Sequence, residues 1–116
     1  MANLKSTSKN TMKGINNFDV IIVGAGGVGL AAAMYSARLG LKTLVLGASY
    51  GSELPIGGVI TTTNVVENYP GFIRLTGQEL AKKIEEHARS YKLVTIKEEK
   101  VLDIKKEKES FIVKTE

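Results

Sequence analysis

Six consecutive residues near the start of the chain have the spacing of a phosphate-binding loop. The loop fits the pattern G-x-G-x-x-G and consists of Gly24, Ala25, Gly26, Gly27, Val28 and Gly29. In this pattern the first glycine permits a tight turn, the second lets the backbone approach a phosphate without a Cβ in the way, and the third lets helix and strand pack closely. The N-terminus of the following helix would direct free N–H groups and the positive end of its dipole at the phosphates. The pattern therefore predicts binding of a dinucleotide through its pyrophosphate.

The residues on either side of this glycine loop predict the elements that position it. Residues 19–23 are mostly β-branched and apolar on both faces, as in a central parallel strand that helices cover. Residues 27–39 are alanine-rich and predict a helix that Gly40 ends, and residues 42–46 predict a second parallel strand. Because strand, glycine loop, helix and strand follow in this order, the motif has more weight than a lone match. The alternative is a purely structural glycine turn in another α/β fold.

The end of the second predicted strand lacks the acid that usually receives a ribose hydroxyl. Gly47 stands there, so the strongest sequence signal for ordinary NAD binding is missing. The ribose would then be held by nearby backbone or by an acid in the following loop. Glu53 is the only acid between Gly47 and Glu67. A solvent-exposed loop glutamate is an equally good interpretation of Glu53.

The remaining residues predict a long loop, a helix and three short strands. Residues 47–76 show no helical period, and a loop of this length inside a domain is usually functional. A capping-box pattern at residues 76–79 predicts a helix that extends to about Tyr91. The predicted strands are residues 93–97, 100–104 and 110–114, and the last two should form a surface hairpin with a charged turn.

The polar residues 1–17 lack apolar periodicity, and we expect them to be a flexible N-terminal extension outside the fold. Residues 18–116 would then form the folded part. Three lysines within the extension account for +3 of the formal charge of +4, so residues 18–116 carry only +1. Because the later lysines alternate with glutamates, we expect no nucleic-acid partner.

The cysteine, histidine and apolar content of the chain argues against disulfide, metal-binding and membrane-spanning classes of protein. The chain has no cysteine, which excludes a disulfide framework, a thiolate metal site and a redox dithiol within these residues. The single His87 cannot build a metal site alone, and we expect no metal. The apolar run at residues 20–35 is glycine-rich and shorter than the roughly 20 residues that a membrane span requires. We therefore expect no membrane segment.

A second motif, residues 57–72, reads GGVITTTNVVENYPGF. It resembles the GGQL-TTT-x-VENYPGF signature of low-molecular-weight thioredoxin reductases, and with the glycine loop the resemblance runs from Phe18 to about Thr115. It implies the N-terminal part of an FAD-binding domain, with an α/β, Rossmann-like FAD/NAD(P)-binding three-layer fold. Its parallel sheet would carry an added antiparallel hairpin and would be incomplete. We expect the family's NADPH domain and the C-terminal part of its FAD domain to be absent from these residues.

The resemblance also implies which residues contact FAD. The glycine loop would lie against the pyrophosphate, and the backbone around Gly47 would meet the adenosine ribose. Asn68 would offer its amide to the polar edge of the isoalloxazine, although Thr and Asn in loops also bond their own backbone. The implied cofactor-binding residues are Gly24, Ala25, Gly26, Gly27 and Gly29 at the pyrophosphate, Gly47 at the ribose, Gly58, Val59, Thr63 and Asn68 near the flavin, and Val101, whose backbone would meet adenine. No catalytic residue is assigned.

Two features depart from the family signature. Val59 replaces the usual Gln after the double glycine, so a side-chain contact to the flavin is lost or replaced by backbone. Residues 48–56 make a longer linker than in many relatives, which would alter the contacts on the adenosine side.

In a complete member of this family, electrons pass from NADPH to FAD, then to a Cys-x-x-Cys dithiol and on to thioredoxin. We expect this chain to be the FAD-binding segment of such a cytoplasmic, homodimeric oxidoreductase, inactive alone because it has no redox cysteines. One alternative is a ferredoxin- or flavodoxin-NADP reductase of the thioredoxin reductase type. The other is a stand-alone dinucleotide-binding module that needs a partner chain.

Overall fold

A computed structural model describes residues 3–7, 16–47 and 53–116, with side chains described for residues 17–47 and 53–116. The helices are α1 (Gly27–Arg38) and α2 (Gly77–Arg89), and a 3₁₀-helix covers Gly58–Thr62. The strands are β1 (Asn3–Thr7), β2 (Asn16–Phe18), β3 (Val20–Val23), β4 (Thr43–Leu46), β5 (Val94–Lys97), β6 (Val101–Glu107) and β7 (Ser110–Thr115).

A parallel sheet with the order β3-β4-β5 forms the middle of the molecule. Its register pairs Val23 with Leu46 and Leu46 with Lys97, so the three strands end at one edge. The predicted strand pair and its connecting helix α1 are confirmed, with bounds that differ by one residue. The central strand of the described residues is β4, whose four side chains are all buried, rather than β3, which pairs only with β4 there.

One face of the parallel sheet is covered by α1. The alternating side chains of the strands place Ile22, Val45 and Ile96 on this face, where they pack with Ala33 of the helix. Ala33 is fully buried, and its small side chain permits a close approach of helix and sheet. A neighbouring apolar cluster beneath α2 contains Val66, Leu75 and Leu80 together with Ile60 and Ile84.

The opposite face is covered by a second sheet with the order β2-β1-β7-β6, and not by helices as the sequence suggests. The predicted antiparallel hairpin of β6 and β7 is confirmed, with Lys108 at positive φ in its turn. The hairpin is more than a surface feature, because Val113 packs with Phe18, Leu44 and Leu46. The result is the expected α/β three-layer arrangement, composed of a mixed sheet, a parallel sheet and helices.

The N-terminal residues differ from the expectation that residues 1–17 lie outside the fold. Residues 3–7 form β1, which pairs antiparallel with β2 and parallel with β7. The hydrophobic pattern does not predict this strand. Its pairing uses backbone N–H and C=O groups, which nearly every residue carries whatever its side chain. Residues 1, 2 and 8–15 of the predicted extension lie outside the described residues.

The start of α2 confirms the capping box. The Glu79 N–H donates to Thr76 Oγ1 at 3.1 Å, and the Thr76 N–H donates to Glu79 Oε2 at 3.0 Å. These two bonds satisfy backbone donors that an uncapped helix leaves free. Among the residues that the structure describes, no helix has the length and apolar character needed to cross a membrane.

Candidate dinucleotide-binding site

The site is built on the loop between β3 and α1. Gly24 leaves the strand with φ +116°, and its N–H donates to the Leu46 carbonyl at 2.7 Å. A positive φ is strained for residues with a Cβ, so the predicted tight turn at Gly24 is confirmed. The N-cap of α1 is Gly26, which has no side chain that could accept from the first turn, and that turn contains no acid. The first N–H groups of α1 thus have neither an intrahelical partner nor a side-chain cap.

The two helices therefore begin in different ways. Thr76 and Glu79 close the start of α2, and the Gly77 N–H also donates to the Thr63 carbonyl at 2.9 Å. The start of α1 lacks such groups, so its donors and the positive end of its dipole are available to an anion. Of the two α-helices in the described part of the chain, α1 is the one whose N-terminus has no side-chain cap.

The space around Gly29 differs from the space around Gly26. A Cβ on Gly29 would overlap the carbonyl oxygen of Gly24 and lie 3.1 Å from its carbonyl carbon and 3.4 Å from Ile22 Cγ2. Gly29 is thus required by the packing of helix, loop and strand, as predicted. A Cβ on Gly26 would meet no protein atom closer than the Gly57 oxygen at 3.9 Å. The fold itself leaves room for a side chain at Gly26, so a ligand would supply the reason for glycine there.

The double glycine of the second motif lies directly against the glycine loop. The Gly57 N–H donates to the Ala25 carbonyl at 2.8 Å, and Gly26 and Gly57 form a parallel bridge. A Cβ on Gly58 would lie 3.1 Å from the Gly26 Cα. Both glycines have positive φ, +106° at Gly57 and +70° at Gly58. The two motifs that the sequence separates by some thirty residues therefore form one backbone surface.

Gly47 is in contact with the same loop. A Cβ there would lie 2.7 Å from the Ala25 nitrogen and 2.9 Å from the Ala25 Cβ. The Gly47 N–H donates to the Lys97 carbonyl at 3.2 Å, which continues the pairing of β4 with β5. The acid that is missing at the end of β4 is thus excluded by packing, because Ala25 occupies the space that its side chain would need.

The threonine run forms the 3₁₀-helix, a regular element that the sequence did not predict. The Thr61 hydroxyl donates to the Gly58 carbonyl and the Thr62 hydroxyl to the Val59 carbonyl, each at 2.7 Å. These two threonines therefore bond their own backbone, one of the two interpretations open from sequence. Thr63 ends the 3₁₀-helix with an exposed side chain, and Val59 is 70% exposed.

The other predicted contact residues lie farther along the chain. Asn68 is exposed in the loop after the 3₁₀-helix, where residues 67–73 line an open depression. The backbones of Val66 and Leu75 close this loop with two hydrogen bonds of 2.7 and 3.1 Å. Val101 begins β6, pairs with Thr115 and packs against the apolar cluster between the two sheets. The structure thus brings the glycine loop, Gly47 and Gly58 together directly, and it does not place Asn68 or Val101 in that backbone surface.

Sequence reasoning missed a polar pair at the carboxyl end of β5. The Thr115 hydroxyl, in a residue with no exposed surface, donates to Glu99 Oε2 at 2.7 Å. Lys97 Nζ lies 4.0 Å from Glu99 Oε1. Neither residue belongs to a motif, and both lie far along the chain from the end of β4. In the described ranges no cluster of His, Cys, Asp or Glu could hold a metal ion, and His87 is exposed on α2.

The strand, glycine loop, helix and strand, with an open helix N-terminus at the carboxyl edge of a parallel sheet, define a dinucleotide-binding fold of the Rossmann type. Residues 18–116 match the pyridine nucleotide-disulphide oxidoreductase family, and the chain belongs to that family.

Within this family the chain is a thioredoxin reductase-like FAD-domain segment. It is 45% identical over 74 residues to the thioredoxin reductase of Bacillus subtilis (strain 168), covering 64% of this chain and 22% of that protein. It is 49% identical over 79 residues to a "34.2 kDa protein in rubredoxin operon" of Clostridium pasteurianum, covering 68% of this chain and 24% of that protein. The crystal structure of T. acidophilum thioredoxin reductase matches with a TM-score of 0.75 and 40% identity over 84% of this chain and 30% of that one. The chain thus spans about a quarter of the length of these curated relatives.

Proposed function

We propose that the chain binds FAD as the N-terminal segment of the FAD domain of a thioredoxin-disulfide reductase-like flavoprotein. The observation that carries the proposal is the uncapped start of α1 beneath the glycine loop, with the double glycine packed beside it. A pyrophosphate fits this surface because backbone N–H donors and the helix dipole both favour negative charge there.

The residues present are suited to each part of the cofactor. Gly26 and Gly27 would hold the pyrophosphate through backbone N–H groups, and the open space beside Gly26 is where its oxygens would lie. The backbone at Gly47 would meet the adenosine ribose, and the Val101 backbone would meet adenine. Gly58, Val59, Thr63 and Asn68 would approach the flavin, with Val59 contributing backbone where relatives use Gln. Bound FAD would supply electron transfer between a pyridine nucleotide and a dithiol.

The activity of the whole protein is proposed on the same basis. NADPH would be the electron donor and thioredoxin the acceptor, and the complete protein would be a cytoplasmic homodimer. The dithiol would come from a part of the protein outside these 116 residues, because they contain no cysteine. Two of the relatives, from B. subtilis and T. acidophilum, are named thioredoxin reductases, which supports this acceptor class.

The test is an FAD titration of the chain and of a Gly26→Val variant. The valine side chain would occupy the space of the pyrophosphate, so we expect the wild-type chain to quench FAD fluorescence and to gain thermal stability with FAD. The variant should do neither while it retains the circular dichroism of the wild type. Gly26→Ala tests the same space with a single methyl group.

The matched variant is Ala32→Val, which adds the same branched side chain at an exposed position of α1. It should bind FAD as the wild type does. Retained FAD binding by a folded Gly26→Val chain, or failure of the wild-type chain to bind FAD at all, would overturn the proposed function.

A further inference from the structure

We propose that Glu99 receives a ribose hydroxyl of the adenosine half of the dinucleotide, in place of the acid that is missing at Gly47. This inference rests on the proposed function, because it concerns the same cofactor. It assigns a specificity residue that no sequence motif contains.

The position of Glu99 follows from the pairing of β4 and β5. The Gly47 N–H donates to the Lys97 carbonyl, so the carboxyl ends of these two strands lie side by side. Glu99 follows Lys97 by two residues and continues beyond the same edge. In doubly wound folds the ligand binds outside the carboxyl ends of the strands. Glu99 therefore lies just beyond the end of β5, the strand next to the one that usually carries the ribose acid.

The predicted adenosine contacts lie on both sides of Glu99. Gly47 is bonded to the residue two before it, and Val101 is the residue two after it. Val101 pairs with Thr115, the same residue whose hydroxyl binds the Glu99 carboxylate. A group that contacts both the Gly47 backbone and the Val101 backbone would pass beside Glu99.

Thr115 holds the Glu99 carboxylate in place, and the carboxylate can still accept further hydrogen bonds. Thr115, which is fully buried, donates to Oε2 at 2.7 Å, while Oε1 lies 4.0 Å from Lys97 Nζ, a loose ion pair. The Glu99 side chain is 30% exposed, so solvent and a ligand can reach it. An ionised carboxylate offers about four acceptor sites, and a hydroxyl donates to it more strongly than to a neutral acceptor.

Glu53 is the other acid that could serve, and the structure favours Glu99. Glu53 is exposed and lies six residues beyond Gly47 in the long loop. Glu99 is connected to the sheet edge through Lys97 and is positioned by a buried hydroxyl. Preorganisation of this kind is what a directional hydrogen bond to a ligand requires.

The experiment compares the FAD dissociation constants of the wild-type chain and of three variants, Glu99→Gln, Glu98→Gln and Glu53→Gln. Glu98→Gln removes the same charge from an exposed neighbour, so it measures any long-range effect on the anionic cofactor. We expect Glu99→Gln to weaken FAD binding about tenfold or more. The other two variants should stay within about twofold of the wild type.

A second measurement identifies the atom that Glu99 contacts. ADP, 2′-deoxy-ADP and 3′-deoxy-ADP compete with FAD for the site, and one deoxy analogue should bind the wild-type chain about tenfold more weakly than ADP. That difference should disappear in Glu99→Gln. It should shrink in Thr115→Val, because Thr115 is a positioning residue that acts through the carboxylate.

The outcomes separate this inference from the proposed function. If the wild type binds FAD and Glu99→Gln binds as Glu98→Gln does, or if Glu53→Gln alone loses affinity, the assignment of Glu99 is wrong and the FAD site stands. Equal binding of ADP and both deoxy analogues by the wild type also overturns the assignment. If the wild-type chain binds no FAD, the proposed function and this inference are lost together.

Discussion

Replacing Gly29 with alanine should destabilise the fold, although alanine is the better helix former. A Cβ at this position would overlap the Gly24 carbonyl oxygen and lie 3.1 Å from the Gly24 carbonyl carbon. Both atoms belong to the backbone of the turn that ends β3, so no side-chain rotation can relieve the contact. The helix and the turn would have to move apart, which disturbs the packing of α1 on the parallel sheet.

The size of the effect follows from two opposing contributions. Overpacking in a well-packed region costs about 1–3 kcal/mol, and we take about 3 kcal/mol because the obstacle is backbone. Alanine in place of glycine inside a helix contributes about 1 kcal/mol in the other direction. The expected net loss in the free energy of unfolding is about 2 kcal/mol, which lowers the folding equilibrium constant about thirtyfold.

Urea unfolding followed by far-UV circular dichroism measures this loss, with Gly26→Ala as the matched variant in the same loop. A Cβ on Gly26 would be 3.9 Å from the nearest protein atom, so Gly26→Ala should cost at most about 1 kcal/mol, the difference between glycine and alanine at an N-cap. Gly26→Ala should instead weaken FAD binding. An unfolding midpoint of Gly29→Ala equal to that of the wild type, with an unchanged slope, would refute the steric argument.

Two further predictions concern the stability of the framework around the site. Leu44→Ala should lower the free energy of unfolding by about 2–5 kcal/mol, because Leu44 is fully buried between the two sheets. A loss below about 1 kcal/mol in urea unfolding would contradict this prediction and would show that the neighbouring side chains fill the cavity. Thr76→Ala should cost about 1 kcal/mol through loss of the capping box, whereas Thr63→Ala, at an exposed threonine, should change the midpoint little. Equal effects of the two threonine variants would argue against the cap.

The elements with a strong local signal could be predicted from sequence. The apolar residues before Gly24 and the alanines after Gly29 specify strand and helix by their own periodicity. Thr76 and Glu79 specify the start of α2, since the two bonds of a capping box join residues three apart. The roles of Gly24 and Gly29 could also be predicted, because a positive φ and a close helix-strand contact depend on the local turn.

Most of the features that could not be predicted from sequence depend on contacts between residues far apart in the chain. Nothing near Gly47 in the sequence shows that Ala25 lies against it, and nothing near Glu99 shows that Thr115 donates to it. The 3₁₀-helix could not be predicted because threonine hydroxyls that bond their own backbone are equally typical of irregular loops. Strand β1 was missed because its pairing partner β7 comes about a hundred residues later.

The burial of β4 on both faces has a consequence for how the chain opens. Leu44 and Leu46 belong to the apolar cluster beneath the second sheet, while Val45 belongs to the cluster beneath α1. Separation of either layer from β4 would expose buried apolar side chains of this strand to water. The amide protons of β4 should therefore exchange with solvent only when the whole domain unfolds, and their exchange rate would report its global stability.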